Sequence, residues 1–351
     1  MFALMQEQRK VFVTGASGFI GTYICYRLLQ LGHEVHGMKR ETSDLSTHRL
    51  VFETLNGQSE NPIDAEAIEW HTADILDPNG VRDASADCNT MVHAAASVSF
   101  QPRERSHTLK NNIDGTSNIV NACISNGIKR LIHISSVAAL PNPDKKETLS
   151  ESFENSTFYE FNTTYGESKY RSEMEVWRGS GEDLNVTVFN PGIVLGKWRF
   201  VNSSVQMFRS IFRGLKVYSS GYTGFVAVED IADAVVKALN NEASIGQRYI
   251  LVGDNQYYKD FLFAIADALG KKRPGIRAGL GLSIWVGRLA EFWASITGGK
   301  AFITREIAQS ANRHTHFENK KVQEQLGLSF RSVNETIADT AKFFTAHPEL
   351  R

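Results

Sequence analysis

The feature that most constrains the fold of this 351-residue chain is an alternation, over its first half, of short apolar runs with longer helical patterns. Such an alternation is typical of a parallel sheet whose helical connections cover both faces. The predicted strands are residues 10–14, 34–38, 68–71, 90–93, 130–134 and 184–189, and the clearest helices are 19–31, 109–126 and 165–178. We therefore expect an α/β fold with a doubly wound parallel sheet.

A glycine-rich loop joins the first predicted strand to the first predicted helix. Gly15 allows a tight turn, Gly18 lets the backbone approach a pyrophosphate, and Gly21 lets the helix pack close to the sheet. The free N–H groups at the start of the helix attract phosphate. The sequence therefore predicts a dinucleotide cofactor, contacted by Gly15, Ser17, Gly18, Phe19, Ile20 and Gly21.

The end of the second predicted strand bears on which dinucleotide is bound. An acidic residue there would hold the ribose 2′-hydroxyl of NAD, whereas a cation accommodates the 2′-phosphate of NADP. This strand ends in Lys39 and Arg40. The pair favours NADP, with NAD as the alternative, because the two cations could form a solvated loop and Glu41 could turn toward a ribose.

Tyr165 and Lys169 are four residues apart on a predicted helix, so their side chains lie on one face. A phenol has a pKa near 10 and is a poor acid or base at neutral pH. A nearby ammonium favours the phenolate and would lower the pKa of Tyr165 toward the range in which it exchanges a proton with an alcohol or carbonyl. Lys169 could also hydrogen-bond the nicotinamide ribose.

Two serines, Ser135 and Ser136, follow the fifth predicted strand. They fall at the carboxyl edge of the sheet, where ligands bind in doubly wound folds. This edge also receives the glycine loop. Either serine could therefore contact a substrate beside the nicotinamide.

In their order and spacing, the glycine loop, the serine pair, Tyr165 and Lys169 resemble the extended short-chain dehydrogenases/reductases of the NAD-dependent epimerase/dehydratase superfamily. The resemblance covers most of the chain and is greatest to the branch like dihydroflavonol reductases and hydroxysteroid dehydrogenases. It implies a Rossmann-type fold and a homodimer. It also implies that Ser136 orients the substrate oxygen while hydride passes to or from C4 of the nicotinamide, with Ser135 as the alternative serine.

Other segments match the same family and extend the predicted site. Asn112, from Asn112-Ile113-Asp114-Gly115-Thr116, would support the catalytic geometry, although it could also be a polar residue on a helix flank. Asp74 resembles an adenine-contacting aspartate, and a turn-capping role is the alternative. The further cofactor contacts implied are Ile75, Ala94, Ala95, Ala96, Pro191 and Val194, together with Tyr165 and Lys169.

Two reactions use this set of residues. The first is reduction of a ketone or aldehyde, or oxidation of a secondary alcohol, and the second is nucleotide-sugar epimerisation with retained NAD. Lys39 and Arg40 favour the first. Dehydration would need an acidic residue beside the serine, where the chain has Val137 and Ala138. A cofactor-binding regulator without turnover is a further alternative, which the complete Ser136, Tyr165 and Lys169 set disfavours.

The regular alternation stops after Pro191, which predicts a second, smaller domain. Residues 1–190 would form the dinucleotide-binding domain, and 225–253 would return to it with two strands around a helix at 229–239. Residues 191–224 and 254–351 would form a mostly helical lobe that binds a small-molecule substrate. Aromatic residues such as Phe208, Phe212 and Phe225 are consistent with an apolar pocket, although such residues more often form core.

Charge and composition exclude several other classes of function. The 38 basic and 39 acidic residues leave a net charge of -1, so nothing indicates a nucleic-acid partner. Cys25, Cys88 and Cys123 are scattered within apolar patterns typical of buried thiols. No metal site is predicted, because His71, His93 and His133 are far apart in the sequence and lack a carboxylate at ligand spacing.

Two apolar segments bear on membrane insertion and targeting. Residues 1–5 are too few for a signal peptide and lack a cleavage site. Residues 280–296 contain Arg288 and Glu291, so they predict a lobe helix rather than a membrane span, with an amphipathic surface anchor as the alternative. We therefore expect a cytoplasmic protein.

Overall fold

The computed structural model describes residues 8–140, 148–151, 161, 163–201, 203–281, 284, 288 and 304–351. The strands are β1 (Lys10–Thr14), β2 (Glu34–Lys39), β3 (Glu69–Thr72), β4 (Thr90–His93), β5 (Arg130–Ile134), β6 (Thr148–Leu149), β7 (Asn185–Pro191), β8 (Ile193–Leu195), β9 (Val217–Tyr218), β10 (Tyr222–Ala227), β11 (Gln247–Leu251), β12 (Asp254–Tyr257), β13 (Ile276–Arg277) and β14 (His316–Phe317). The helices are α1 (Phe19–Gln30), α2 (Ser46–Asn56), α3 (Pro78–Ala84), α4 (Arg105–Asn126), α5 (Thr164–Ser180), α6 (Gln206–Phe212), α7 (Val228–Leu239), α8 (Tyr258–Ala268), α9 (Arg305–Ser310), α10 (Lys320–Leu326) and α11 (Val333–Ala346).

Seven parallel strands form the central sheet, in the order β11-β7-β5-β4-β1-β2-β3. The inner strands are largely buried because helices cover both faces: all of β5 is buried, and in β1 only Lys10 is exposed. The order reverses between β1 and β4, which opens a crevice at the carboxyl ends of these strands. The predicted doubly wound α/β fold is confirmed.

A second, three-stranded sheet continues directly from the central one. Its order is β12-β10-β8, with β10 parallel to β8 and antiparallel to β12. Only Gly192 separates β7 from β8, and only Val252 and Gly253 separate β11 from β12. Two strands of the central sheet thus run on into the smaller one.

The segment at 225–253 is predicted to return to the central sheet, and only part of it does so. Strand β11 pairs with β7 at the sheet edge, and α7 packs against α1. Strand β10, in contrast, belongs to the three-stranded sheet. The proposed division into a dinucleotide domain and a substrate lobe remains a prediction.

The C-terminal part is largely helical in the residues described. Phe208 and Phe225 are fully buried in the main core, while Phe212 is 38% exposed and packs against Phe344. The predicted helix at 280–296 lies mostly outside the described residues. None of the helices in the described ranges combines the length and the hydrophobicity needed to cross a bilayer. Cys25, Cys88 and Cys123 are buried free thiols.

Candidate active site

The glycine loop is a cradle that leaves no room for side chains. Gly15 has φ +69°, and a Cβ there would lie 2.7 Å from the backbone N of Ala95. At Gly21 a Cβ would lie 2.0 Å from the carbonyl O of Gly15, so α1 can pack on the loop only without a side chain. The Gly18 amide closes the turn by donating to the Gly15 carbonyl at 2.9 Å.

Helix α1 begins immediately after Gly18, and no side chain caps this end. The backbone N–H groups of its first turn therefore face the crevice as donors for an anion. Phe19 stacks on Trp198 with ring centroids 5.7 Å apart, which fixes the helix start against the loop after β8. A bare helix N-terminus behind a close-packed glycine turn fits a pyrophosphate.

The segment after β4 lies against this loop, as predicted for a chain beside the cofactor. The Ala94 amide donates to the Thr14 carbonyl at 3.2 Å, and the Ala95 amide donates to the Thr14 hydroxyl at 3.3 Å. Ala96 is exposed. These small residues leave backbone accessible at the switch point of the sheet.

Asn112 ties this segment to the helix that carries Tyr165. Its side-chain oxygen accepts from the Ser97 amide at 2.7 Å, and its nitrogen donates to the Ser97 carbonyl and the Ser168 hydroxyl, both at 2.9 Å. The residue is buried, so these bonds are shielded from water. Asn112 thus links the Ser97 segment to α5, and its role in the catalytic geometry remains a prediction.

Ser136 and Tyr165 are brought together at the carboxyl edge of β5. Ser136 caps a short 3-10 helix at 137–139 by accepting from the Ala138 amide at 3.1 Å, and its side chain hydrogen-bonds Tyr165. Ser135 is buried, and its amide donates to the Phe189 carbonyl at 2.7 Å as a strand-end contact. Of the two serines, Ser136 is the one whose hydroxyl faces Tyr165.

Gly166 explains how α5 comes so close to the Ser136 turn. A Cβ at this position would lie 2.7 Å from the Ala138 carbonyl O. The helix starts here because Thr163 caps it, accepting from the Gly166 amide at 2.9 Å. The glycine directly after the tyrosine is the sequence signal for this close approach.

The electrostatics of Tyr165 differ from the prediction. Burial raises its pKa to about 12, and the hydrogen bond from Ser136 opposes this shift. The expected lowering of the Tyr165 pKa is wrong, because burial is the dominant effect on this phenol. The Lys169 ammonium donates to the Ile134 carbonyl at 2.7 Å. Tyr165 is thus protonated at neutral pH.

Lys169 is buried, and burial lowers its pKa to about 8, while Glu173 raises it. An ammonium has three N–H donors, and the bond to Ile134 engages one of them. The ammonium form exists below pH 8 or so, and the neutral amine forms above it. Lys169 therefore changes charge within the range in which enzymes work.

Glu173, one turn beyond Lys169, is a site residue that sequence reasoning missed. It is fully buried and ion-paired with Arg248 of β11. Asn190 donates both to Glu173, at 2.6 Å, and to the Ser136 carbonyl, at 2.9 Å. The spacing Tyr165, Lys169, Glu173 at intervals of four was visible on the predicted helix, but the partner Arg248 was not.

The remaining predicted cofactor residues lie around the same crevice. Lys39 ends β2, and Arg40 follows it in an exposed turn closed by Ser43. The Asp74 side chain accepts from the Leu76 amide at 2.8 Å, which is the turn-capping role, and Ile75 is buried against Gly115. Pro191 ends β7, and Val194 lies buried in β8.

Comparison with known proteins places this geometry in a family. The model of the NAD dependent epimerase/dehydratase family matches residues 11–253, which include the glycine loop, Ser136, Tyr165 and Lys169. The chain belongs to the NAD-dependent epimerase/dehydratase family. The resemblance predicted from the motifs is confirmed, and the family supports an enzyme.

Curated relatives of this epimerase/dehydratase-family chain include reductases. A Synechocystis protein provisionally named a dihydroflavonol 4-reductase is 24% identical over 341 residues, with 96% of this chain and 94% of the relative covered. Cinnamoyl-CoA reductase 1 of Oryza sativa subsp. japonica is 28% identical over 258 residues, covering 70% of this chain and 72% of the relative.

Solved structures of similar fold align with nearly the whole of this chain. The crystal structure of gox2253 has a TM-score of 0.78 at 26% identity, covering 98% of this chain and all of the other. A UDP-glucose 4-epimerase from Thermotoga maritima, solved with UDP-glucose, has a TM-score of 0.72 at 17% identity and covers 97% of this chain and 99% of the other. The likeness to the epimerase shows the fold alone.

One prediction for this family member follows from Glu173. In a Glu173→Gln variant, the attraction that raises the pKa of Lys169 is lost. The pKa of Lys169 then falls below about 8. The alkaline limb of the pH profile of kcat/KM therefore moves to lower pH. The shift would be about 1 pH unit if about 1.4 kcal/mol of attraction is lost. Asn190 and Arg248 donate to separate oxygens of Glu173, and Gln can accept from only one of them, so the thermal stability of the variant is measured beside its pH profile.

The matched control is Glu175→Gln on the same helix. Glu175 pairs with Arg178 at 3.0 Å and is not among the groups that shift Lys169. Its pH profile is expected to match the wild type. An unmoved alkaline limb in Glu173→Gln would show that Lys169 does not control that limb.

Proposed function

We propose that the protein is an NAD(P)-dependent oxidoreductase that transfers hydride between nicotinamide and a ketone, aldehyde or secondary alcohol. One observation carries this proposal: the hydrogen bond between Ser136 and Tyr165, with Lys169 one turn further along α5. Ser136 follows β5, and Lys169 donates to the carbonyl of Ile134, the last residue of β5, so the group lies at the carboxyl edge of this strand. This edge is where substrates bind in doubly wound folds.

Tyr165 is the proposed proton donor in the direction of reduction. Burial raises its pKa to about 12, so the phenol carries its proton at neutral pH, as donation to a substrate oxygen requires. Ser136 orients that oxygen, and its own hydrogen bond stabilises the phenolate left after the transfer. Lys169, whose ammonium donates to the Ile134 carbonyl, would bind the nicotinamide ribose with its remaining N–H donors.

The cofactor would be held by residues on three loops. Gly15, Ser17 and Gly18, with the start of α1 at Phe19 and Ile20, would bind the pyrophosphate, since the glycine cradle leaves backbone N–H groups accessible. Asp74, Ile75 and Ala94 to Ala96 would line the adenosine half. Tyr165, Lys169, Pro191 and Val194 would lie at the nicotinamide half. When bound, the nicotinamide supplies or accepts the hydride.

We propose NADP as the preferred cofactor. The cations Lys39 and Arg40 stand where an NAD-binding site would present a carboxylate. Among the residues the structure describes, neither side chain pairs with a carboxylate, which leaves both charges available to a 2′-phosphate. Arg can hold such a phosphate through two parallel N–H bonds.

A Lys39→Ala, Arg40→Ala double variant tests this preference. Loss of charge-assisted hydrogen bonds worth about 1.5–3 kcal/mol each is expected to weaken NADPH binding at least tenfold or so, with little change for NADH. The measurement is the Kd of each nucleotide by calorimetry at two salt concentrations. Lys129→Ala, an exposed cation at the opposite edge of the sheet, is the control and is expected to change neither Kd. Equal losses for both nucleotides would contradict the assignment.

The choice between reductase and sugar epimerase rests on reductase relatives and on Lys39 with Arg40. The experiment is to purify the protein, release any retained nucleotide with acid and identify it, then assay NADPH oxidation with a panel of aromatic and aliphatic ketones and aldehydes. A nucleotide-free protein that consumes NADPH with one carbonyl class supports the proposal. Tightly retained NAD, with turnover of a nucleotide sugar and none of carbonyls, would replace it with the epimerase.

A further inference from the structure

A cluster of two histidines and a glutamate lies on strands β2 and β3, away from the proposed active site. Strand register pairs His36 with Glu69 and Met38 with His71, so the side chains of His36, Glu69 and His71 emerge on one face. His36 Nδ1 and His71 Nε2 are 3.0 Å apart. Glu69 oxygens lie 3.7 Å from the first nitrogen and 3.4 Å from the second.

These separations fit one metal ion. Zinc binds histidine nitrogen and carboxylate oxygen at about 2.0–2.2 Å, which puts two ligand atoms on a tetrahedral ion roughly 3.3 Å apart. The two nitrogens are 3.0 Å apart, Glu69 Oε1 lies 3.4 Å from His71 Nε2, and Glu69 Oε2 lies 3.7 Å from His36 Nδ1. One such atom from each residue lies within 4.8 Å of the other two. A rotation of the exposed Glu69 side chain would bring a single oxygen toward both nitrogens, and an ion could then be bound.

Glu34 is placed to orient the His36 imidazole for metal binding. Its carboxylate lies 2.9 Å from His36 Nε2, on the opposite side of the ring from the cluster. A proton held on Nε2 by this carboxylate leaves the Nδ1 lone pair facing His71 and Glu69. Carboxylate, histidine and metal in series is the usual arrangement by which proteins orient a metal-binding imidazole.

The surroundings of the cluster also suit an ion that has some of its coordination positions open to solvent. His36 is 4% exposed, and the His71 ring packs on Phe12 with centroids 5.8 Å apart, so the imidazoles are held in place. The Glu69 side chain is 62% exposed, so the outer coordination positions would face solvent. Lys10 neutralises Glu34, at 3.1 Å, rather than Glu69.

We propose that His36, His71 and Glu69 bind one divalent ion of the zinc class, with Glu34 as the outer carboxylate. Two imidazoles and one carboxylate are a ligand set used for this class of ion. The ion would link β3, the edge strand of the sheet, to β2. Without an ion, the 3.0 Å contact is a hydrogen bond between the two imidazoles.

The test uses the full chain without an affinity tag, stripped with a chelator and titrated separately with Co²⁺ and Zn²⁺. We expect one equivalent of Co²⁺ to give the visible absorption of a four- or five-coordinate ion, and Zn²⁺ to displace it. Glu69→Gln and His71→Gln are expected to lower the affinity tenfold or so at least, and Glu34→Gln by roughly 10- to 100-fold. His107→Gln, an exposed histidine on α4, is the control and is expected to bind as wild type.

Thermal unfolding supplies a second readout that does not depend on colour. Zn²⁺ should raise the melting temperature of the wild type and of His107→Gln by more than that of Glu69→Gln, whose exposed position makes misfolding a poor explanation. Wild-type affinity equal to that of the Glu69→Gln and His71→Gln variants would overturn the proposal. The pair would then be a hydrogen-bonded imidazole contact only.

Discussion

Replacing Tyr165 by Phe is expected to lower kcat by about 10²- to 10⁴-fold, the range that a positioned proton donor contributes. The phenol is the protonated group that Ser136 contacts, and Phe keeps the ring while removing the proton. The ring also packs edge-on against Phe100, at 5.9 Å between centroids, a contact that Phe preserves. NADPH binding should therefore remain nearly unchanged. The measurement is kcat for a carbonyl substrate together with the NADPH Kd.

Tyr170→Phe on the same helix is the control for Tyr165→Phe. It removes another phenolic hydroxyl from α5, from a ring that packs on Phe161. We expect wild-type turnover from it. Full activity in Tyr165→Phe would remove the proposed acid–base mechanism, whereas loss of NADPH binding would show that Tyr165 is a binding residue instead.

Replacing Gly21 by Ala is expected to damage both the fold and the nucleotide site. The new Cβ would lie 2.0 Å from the Gly15 carbonyl O and 2.8 Å from the Ala16 Cα, and neither is a flexible side-chain end. Helix α1 must therefore move off the loop. Overpacking of this kind lowers the free energy of unfolding by about 1–3 kcal/mol. If the binding free energy of the nucleotide falls by about 1.4 kcal/mol, its Kd rises tenfold.

Urea unfolding and nucleotide calorimetry measure the two effects of Gly21→Ala. Gly57→Ala is the control, because the nearest atom to a Cβ there is 3.6 Å away and its φ of -63° suits any residue. It should leave the free energy of unfolding unchanged or slightly raised. A Gly21→Ala protein with wild-type stability and affinity would show that α1 does not press on the loop as described.

The central sheet could be predicted because its strands are short apolar runs between helices. Strands at 10–14, 90–93 and 130–134 agree with β1, β4 and β5 in both ends. Helices were expected between these strands, but the bounds of two of them could not be predicted. The stripe of α2 that faces the core contains Thr47 and His48 beside Val51 and Phe52, so its apolar periodicity is interrupted. Helix α3 has only seven residues, too few to show a period.

The site could be predicted only as far as local spacing reaches. Tyr165, Lys169 and Gly166 are neighbours in the sequence, whereas Glu173 and Arg248 are 75 residues apart and meet only through the sheet order. The contact between His36 and His71 depends on the register of β2 against β3, which no local pattern contains. The raised pKa of Tyr165 depends on burial, which spacing does not reveal.

The two sheets are joined at two places, where β7 runs into β8 and β11 runs into β12, and this has a mechanical consequence. A single connection could act as a hinge, but here Gly192 and the pair Val252 and Gly253 cross side by side. At Gly192 even a Cβ would lie 2.5 Å from the Gly224 carbonyl O, so the backbones there are in tight contact. Rotation would have to deform both crossings at once. The smaller sheet is thus held rigidly against the larger one. If it contacts the substrate, as predicted for the second domain, its distance from the crevice is fixed before binding.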